Sequence, residues 1–410
     1  MRTARLFLWS PSDDDVLLAR IDVPASNRVT LLSQRWCERA RIEAQVLAVI
    51  GAVGRSDGSL DWGVWVRCDG QMTSGHAMPL SKIARHAPDR SNRRLAQALV
   101  EIVRRSHVSG WIGFNPAWPE LVRDWISRVM NAACGNDILP FRADATTLVT
   151  RAHVAGRDVF FTARPHPFTD PELCDVLRDH SPSTFPATLA HDSTRGWWLT
   201  ADAGGLDAAR YVGRDSNRAA CLLEAMANVQ ASTLGSADVQ RLSYYVTRET
   251  VYDAVERLCD DERVSMLVEV GRLWTDVGAA NAPTGWVHSD PSPDNIRVDD
   301  DGGVVFLDLE DPWYGPIAMM GALAIHSMSR RCRWTDDERS RLCAAAWRRY
   351  ADACGLANHD TFDAWLRLAQ LVRLIRRVER SSTESPLLLE EEVPRRSWAI
   401  RSELRRLCRQ

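Results

Sequence analysis

The chain has 410 residues, 45% of them apolar and 26% charged, with a formal net charge of -3. That length accommodates two or three domains, and the balance is that of a folded globular chain rather than a disordered or collagenous one. The near-neutral charge gives no bulk argument for a nucleic-acid partner, and the longest apolar stretches, such as Ile317–Ile325, fall well short of the ~18 residues a membrane span needs.

Ten cysteines are scattered without a Cys-x-x-Cys pair, so neither a zinc site nor a disulfide framework is expected. The opening segment MRTARLFLWSPSDDD reaches acids after a brief apolar run, unlike a secretory leader. A cytoplasmic protein with reduced thiols is the expectation. The basic residues are nearly all arginine, and Lys82 is the sole lysine.

Residues 1–110 read as a small α+β domain. Strand-like runs occur at Arg5–Trp9, Val16–Ile21 and Trp62–Arg67, and helical spacing at Trp36–Ile50 and Ser91–Val103. The glutamate-rich box of a nucleotide-hydrolysing Nudix domain is missing, since Glu38 and Glu43 alone cannot replace it. An accessory domain that docks a protein partner is the expectation. From Trp118 to Met130 apolar residues Trp118, Leu121, Val122, Trp125, Ile126 and Val129 share one helical face.

Residues 111–205 then carry a β-rich pattern. Thr146–Ala152 and Asp158–Ala163 flank a turn at Ala155-Gly156, the signature of an antiparallel hairpin. Pro171–His180 is a helix with proline in its first turn, and Phe185–Ala190 and Gly196–Thr200 are two further strands. Ala201-Asp-Ala-Gly-Gly205 breaks the pattern.

Residues 206–410 read as mainly helical. Ser216–Val229 has serine placed as its cap, and Glu249–Leu258 and Glu262–Val277 follow. After the stretch described next, helical patterns cover Ile317–Ser329, Thr335–Gly355, His359–Glu379 and Arg395–Leu407. The acidic run Glu390–Glu392 and the arginines Arg348, Arg349, Arg373, Arg376 and Arg377 read as solvated faces or ion-pair partners. No aromatic interleaving makes them a nucleic-acid groove.

One segment breaks the helical run, GWVHSDPSPDNIRVDDDGGVVFLDLEDPWYGP from Gly285 to Pro316. A turn-rich piece, His288 to Asn295, precedes a strand pattern at Ile296 and Val298, a turn at Asp299–Gly303, and a second apolar run from Val304 to Leu307. A hairpin there brings its flanks together, placing Asp290 and Asn295 near Asp308. Two carboxylates and an amide oxygen are hard ligands, which suit Mg²⁺ and phosphoryl transfer.

His-x-Asp-x-x-x-x-Asn, a hairpin, then apolar-Asp-x-x-Asp resembles the catalytic and metal-binding loops of the aminoglycoside phosphotransferase-like and choline kinase-like family. The resemblance implies a two-lobed protein kinase-like fold, a β-rich small lobe at 111–205 and a helical large lobe at 206–410, preceded by the α+β domain. It implies ATP or GTP as phosphoryl donor with Mg²⁺, and a hydroxyl on a small molecule or peptide as acceptor, with neither nucleic acid nor membrane as partner. Asp290 would be the catalytic base, Asn295 and Asp308 the metal ligands, and His288 a structural hydrogen-bonder, with Asp311 at a second acidic position. Backbone groups of Thr200, Ala201, Asp202 and Ala203 would read the adenine edge at the hinge. Glu172 falls where the family helix carries its structural glutamate.

The sequence departs from the family at the third small-lobe strand. Where relatives place a phosphate-binding lysine it has Thr162, in Phe160-Phe161-Thr162-Ala163, followed by Arg164. Ser289 and Gly315 depart more mildly. Two readings stand. An arginine, Arg164 or Arg151, supplies the phosphate contact, or the chain is a pseudokinase that serves as a binding or scaffold subunit.

Overall fold

The structure is a computed structural model. It describes residues 117–143, 147–164, 170–258, 263–309, 311–332, 334–356 and 359–383, and before these the strands given below with residues 33, 82, 85, 93, 95–97, 99–100, 112 and 115. The chain divides into two compact units: Met1–Phe168 with Thr188–Asp202, and Thr169–Ala187 with Ala203–Ser385.

The first unit begins with strands β1 (Arg2–Ser10), β2 (Asp15–Val23), β3 (Ala44–Gly54), β4 (Leu60–Cys68) and β5 (Met78–Pro79). They form a sheet in the order β3-β4-β1-β2-β5, in which β1 runs antiparallel to β2 and parallel to β4. The three expected strands are present. The helix expected over Trp36–Ile50 is not: from Ala44 onward the chain is β3, paired antiparallel with β4 through two register irregularities. The run AQVLAVIGAVG is apolar at nearly every position, so apolar spacing of three and four occurs by default. The β-branched Val46, Val49, Ile50 and Val53 favour a strand, and Gly51 and Gly54 count against a helix. Residues 36–43 and most of the helix expected at Ser91–Val103 lie outside the described residues.

A second sheet follows, built from β6 (Leu139–Ala143), β7 (Leu148–Val154), β8 (Arg157–Ala163), β9 (Thr188–Asp192) and β10 (Trp197–Ala201) in the order β6-β7-β8-β10-β9. The β7–β8 hairpin turns at Ala155-Gly156, both at positive φ. Helix α1 (Trp118–Met130) covers one face. Its Trp125 meets Phe161 and Trp197 edge-on at 5.6 and 5.5 Å, and those two rings meet each other at 5.5 Å. Such aromatic packing contributes beyond the area it buries. Trp118, Val122, Trp125 and Ile126 are buried, while Leu121 and Val129 remain 40% and 37% exposed, so the apolar stripe is narrower than the sequence face. Arg67 of β4 holds Glu120 of α1 at 2.7 Å. Phe7, Leu95 and Leu99 share one core with Trp118, Trp125, Phe161 and Trp197.

The strand expected at Phe185–Ala190 is displaced to Thr188–Asp192. Phe185 belongs to the second unit, 5.2 Å from Trp286 and 5.8 Å from Phe306, and Pro186 has no N–H for a ladder. Gly196 sits at φ 65, and a Cβ there would collide with the Arg164 carbonyl oxygen; only glycine permits the turn that feeds β10.

The second unit opens with α2 (Asp170–His180) and continues with β11 (Leu206–Asp207), α3 (Ala208–Val212), α4 (Ser216–Ser232), α5 (Ala237–Arg241), β12 (Tyr244–Tyr245), α6 (Arg248–Leu258), α7 (Arg263–Asp276), β13 (Thr284–Val287), β14 (Ile296–Val298), β15 (Val304–Phe306), β16 (Trp313–Pro316), α8 (Ala318–Arg331), α9 (Asp336–Ala353) and α10 (Phe362–Thr383). Two three-stranded sheets, β11-β14-β15 and β12-β16-β13, sit among the helices. Asp215, not Ser216, caps α4, its carboxylate accepting from the N–H groups of Asn217 and Arg218. Thr335 and Glu338 form a reciprocal capping box on α9. The expected helix at Arg395–Leu407 and the acids Glu390–Glu392 lie outside the described residues.

The buried side chain of Gln230 ties this unit together. Its Nε2 donates to the carbonyls of Trp286 and Ile317 at 2.9 and 3.2 Å, and its Oε1 meets the Tyr350 phenol, which also bonds the Ile317 carbonyl at 2.8 Å. Buried amides are costly unless paired. This network fixes α4, α8 and α9 against the strand that delivers His288. No helix among the described residues is long and apolar enough to cross a membrane. Cys134, Cys174, Cys221, Cys332, Cys343 and Cys354 are free thiols.

Candidate active site

Strand β13 ends at Val287, and the chain enters the loop His288–Asn295 under tight control. His288 is 2% exposed, packed beside Trp286 and Phe306. Its Nε2 lies 2.8 Å from the Leu307 carbonyl and so carries the proton, while its Nδ1 accepts from the Asp290 N–H at 3.1 Å. Burial pushes the imidazole below its ordinary value, against the pull of the Leu307 carbonyl, Asp290 and Asp308. A neutral ring that bridges two loops suits a positioning group.

The loop closes on itself through Asn295. Its Nδ2 donates to the Asp290 carbonyl at 3.1 Å, and its own carbonyl accepts from the Leu307 N–H at 2.8 Å. Among the described residues no hydrogen bond engages the Asn295 Oδ1. The β14–β15 hairpin pairs Ile296 with Phe306 and Val298 with Val304. That register sets Asn295 beside Leu307, one residue before Asp308. Gly205 packs against β14 at φ 66, where a Cβ would strike the Val298 carbonyl.

Asp308 is exposed and sits at φ 55, and Asp311 follows at φ 54. Two non-glycine residues in the left-handed region within four positions mark a backbone held against its preference. What holds Asp311 is visible. Arg376 of α10 binds its Oδ1 at 2.8 Å and lies 3.7 Å over the Tyr244 ring. Burial opposes the Arg376 charge, but Asp311 and Glu379 together raise it above its ordinary value.

Asp290 meets a cation as well. Arg373 of α10 reaches its Oδ1 at 2.7 Å, with the two side chains 22% and 43% exposed. The sequence placed Arg373 and Arg376 among solvated or paired faces; they are paired, and their partners are the acids of the two loops. The signal was available in their spacing. Both flank the buried stripe Trp365, Leu368, Val372 and Ile375, so each stands at the edge of the face α10 turns inward. Arg331 of α8 adds a third tether, 3.0 Å from Asp294.

Asp290, Asn295, Asp308, His288 and Asp311 thus converge in the second unit. Among the described residues no group of three or more His, Cys, Asp or Glu is placed to hold a metal. Mg²⁺ needs no such group, because it keeps waters and phosphate oxygens and takes only one or two protein carboxylates or amides. The unbonded Asn295 Oδ1 and the exposed Asp308 carboxylate match that hard-oxygen requirement.

The remaining expected residues lie elsewhere. Thr162 pairs with Val149 on one side and Trp198 on the other. The alternation of β8 buries Val159, Phe161 and Ala163 under α1 and turns Thr162 to the opposite face. Arg151 shares that face, diagonal to Thr162, with Asp158 at 3.7 Å. Arg164 gives its backbone N–H to Gly196 at 2.9 Å. On β10 the ladder to β9 ends at Thr200, while Ala201 still pairs with Val159 of β8. The β9-side backbone edge from Ala201 onward is therefore outside that ladder. Asp202 donates to the Asp158 carbonyl at 3.4 Å, and the chain passes to the second unit at Ala203. Glu172 is exposed on α2 and forms no ion pair among the described residues.

A family model described as the phosphotransferase enzyme family matches residues 167–383, more than half of the chain. The chain belongs to the phosphotransferase enzyme family. Solved structures agree on the fold. The macrolide 2'-phosphotransferase MphH of Brachybacterium faecium is 13% identical, with a TM-score of 0.50, covering 70% of this chain and 98% of its own. The ethanolamine kinase of Plasmodium vivax is 12% identical, with a TM-score of 0.50, covering 79% of this chain and 95% of its own. No curated protein matches by sequence. This phosphotransferase therefore carries the kinase-like α+β architecture that the Gly285–Pro316 motif implied.

Proposed function

We propose that the chain transfers the γ-phosphoryl group of a nucleoside triphosphate, ATP or GTP, to a hydroxyl on a small molecule, with Mg²⁺. The observation that carries this reading is the convergence of Asp290, Asn295 and Asp308, knitted by His288 between the Asp290 N–H and the Leu307 carbonyl. The macrolide phosphotransferase and the ethanolamine kinase of the same fold are named for small-molecule acceptors, which supports a small acceptor here.

Phosphoryl transfer asks little covalent chemistry of a protein; positioning and charge neutralisation do most of it. Asp290 would orient the acceptor hydroxyl and take its proton. Asn295 and Asp308 would hold Mg²⁺, which neutralises charge on the phosphate oxygens when bound. Arg373 and Arg376 hold the acids that face this chemistry. Backbone groups of Thr200–Ala203 would read the base. On the Thr162 face, Arg151 is the cation in the better register to serve the phosphates, because Arg164 lies past the end of β8.

A second reading has its own observation: threonine stands at position 162, where relatives place their phosphate-binding lysine. On that reading the chain binds without catalysing, with residues 1–110 as a docking module for a protein partner. Calorimetric titration of ATP and GTP, with and without Mg²⁺, separates the two. Mg²⁺-dependent binding is expected, and no binding at millimolar nucleotide would sink the enzyme reading.

A further inference from the structure

The backbone that carries Asp308 is held by contacts distant in sequence. Asp308 and Asp311 stand at φ 55 and 54, a region that aspartate enters only when its surroundings compel it. Leu309 is 2% exposed, so its side chain pins one point of the loop. Asp311 pins another. Asp308 is exposed, whereas the Asp311 side chain is only 13% exposed. A carboxylate at that depth is costly unless it is paired.

Both Asp311 oxygens have partners. Arg376 Nη2 donates to Oδ1 at 2.8 Å, and the Trp313 indole N–H donates to Oδ2 at 3.5 Å. Arg376 is itself fixed. Its Nη1 donates to Glu379 at 2.8 Å, and its guanidinium lies 3.7 Å over the Tyr244 ring. Glu379 also accepts from Arg257 of α6 at 2.7 Å. Tyr244 belongs to the same piece of structure, because its N–H donates to the Pro312 carbonyl at 2.8 Å and β12 pairs with β16 there. A line of charged contacts thus runs from Arg257 through Glu379 and Arg376 to Asp311. Arginine suits the third place, because its planar fork spans two carboxylates while its face lies on a ring.

Helical spacing adds a second grip. Arg373 lies three residues before Arg376, on the same side of α10, and meets Asp290 at 2.7 Å. One helix therefore holds the loop before the β14–β15 hairpin and the loop after it. We infer that Arg376 is a positioning residue for the divalent cation. It does not touch the ion. It anchors Asp311, which fixes the backbone of Asp308 and with it the place where the Asp308 carboxylate meets Mg²⁺. Without Arg376 the loop is free to leave its strained conformation, and the ligand is no longer held ready. The inference rests on the phosphotransfer reading for the presence of the cation.

Calorimetric titration of the full chain with ATP, once in saturating Mg²⁺ and once in EDTA, tests it. The ratio of the two affinities measures what the cation contributes, and loss of a residue that positions a metal ligand costs about tenfold or more. Arg376→Gln is expected to cut that ratio about tenfold and to leave the affinity in EDTA unchanged, a split that a general loss of structure would not produce. Asp311→Asn should do the same. It leaves no charge stranded, since Arg376 keeps Glu379, so it carries the test if Arg376→Gln does not fold. The double variant should lose no more than either single one, because the two residues act through one contact. An undiminished ratio in a folded variant, or losses that add in the double variant, would overturn the inference alone. A native chain that binds ATP equally with and without Mg²⁺ would remove the Mg²⁺-dependent phosphotransfer reading, and this inference with it.

Discussion

Arg373 Nη2 lies 2.7 Å from Asp290 Oδ1, so a residue of α10 grips a carboxylate of the His288–Asn295 loop. The contact is half-buried rather than sealed, and a pair of that kind adds about 1 kcal/mol or less to folding. Its consequence is geometric. Asp290 has backbone restraints from His288 and Asn295, and Arg373 supplies the side-chain restraint. Arg373→Gln is expected to lower kcat by about tenfold through loss of position. The nucleotide KM and the melting temperature should change little. A drop in stability without a drop in kcat would assign Arg373 a structural role only.

Asp308 occupies φ 55, a conformation that glycine adopts freely and aspartate does not. Asp308→Gly should lose Mg²⁺-dependent nucleotide binding, seen by calorimetry, while losing no stability to urea. Retained Mg²⁺ dependence would remove Asp308 from the metal site. A large loss of stability would mean that the carboxylate serves the fold.

At Thr162 the family's lysine can be restored by one substitution. The side chain faces away from the core under α1, so the change is tolerable. Thr162→Lys should tighten ATP or GTP binding by about tenfold, the effect of one ammonium–phosphate contact. Unchanged affinity would show that an arginine already fills the role or that the phosphates lie elsewhere.

His288 and His326 both sit below the ordinary histidine value of 6.5, mainly through burial. In the unfolded chain each takes up a proton as pH falls through about 6.5, while the folded chain resists. Unfolded chains then hold more protons, so stability declines as pH drops below that value. Urea midpoints at pH 7.5 and pH 5.5 should differ in that direction. His326→Asn should remove part of the difference, and an acid-independent midpoint would contradict the account.

Much of the candidate site's local geometry was legible in the chain. The spacing from His288 to Asn295 and the hairpin to Asp308 are local in sequence, and turn and strand chemistry fixed them. Helix α1 was legible because its tryptophans and aliphatics recur at helical spacing. Ala44–Ile50 was misread because a continuous apolar run carries no period, and only pairing with β4 decides it. Phe185 looked like a strand residue; its ring fits instead between Trp286 and Phe306, a contact visible only once the second unit is folded. Arg373 and Arg376 could be seen as paired arginines, but which acids they pair with depends on α10 packing back onto loops far earlier in the chain.

The central claim is that Asp290 serves phosphoryl transfer. Release or transfer of radiolabelled γ-phosphate from ATP and GTP, with Mg²⁺, by the native chain and by Asp290→Asn measures it most directly. The account predicts measurable turnover by the native chain and a loss of about 10²–10⁴-fold in the variant, with nucleotide binding kept. Equal rates in the two, or no turnover of either nucleotide by a native chain that binds them, would contradict it.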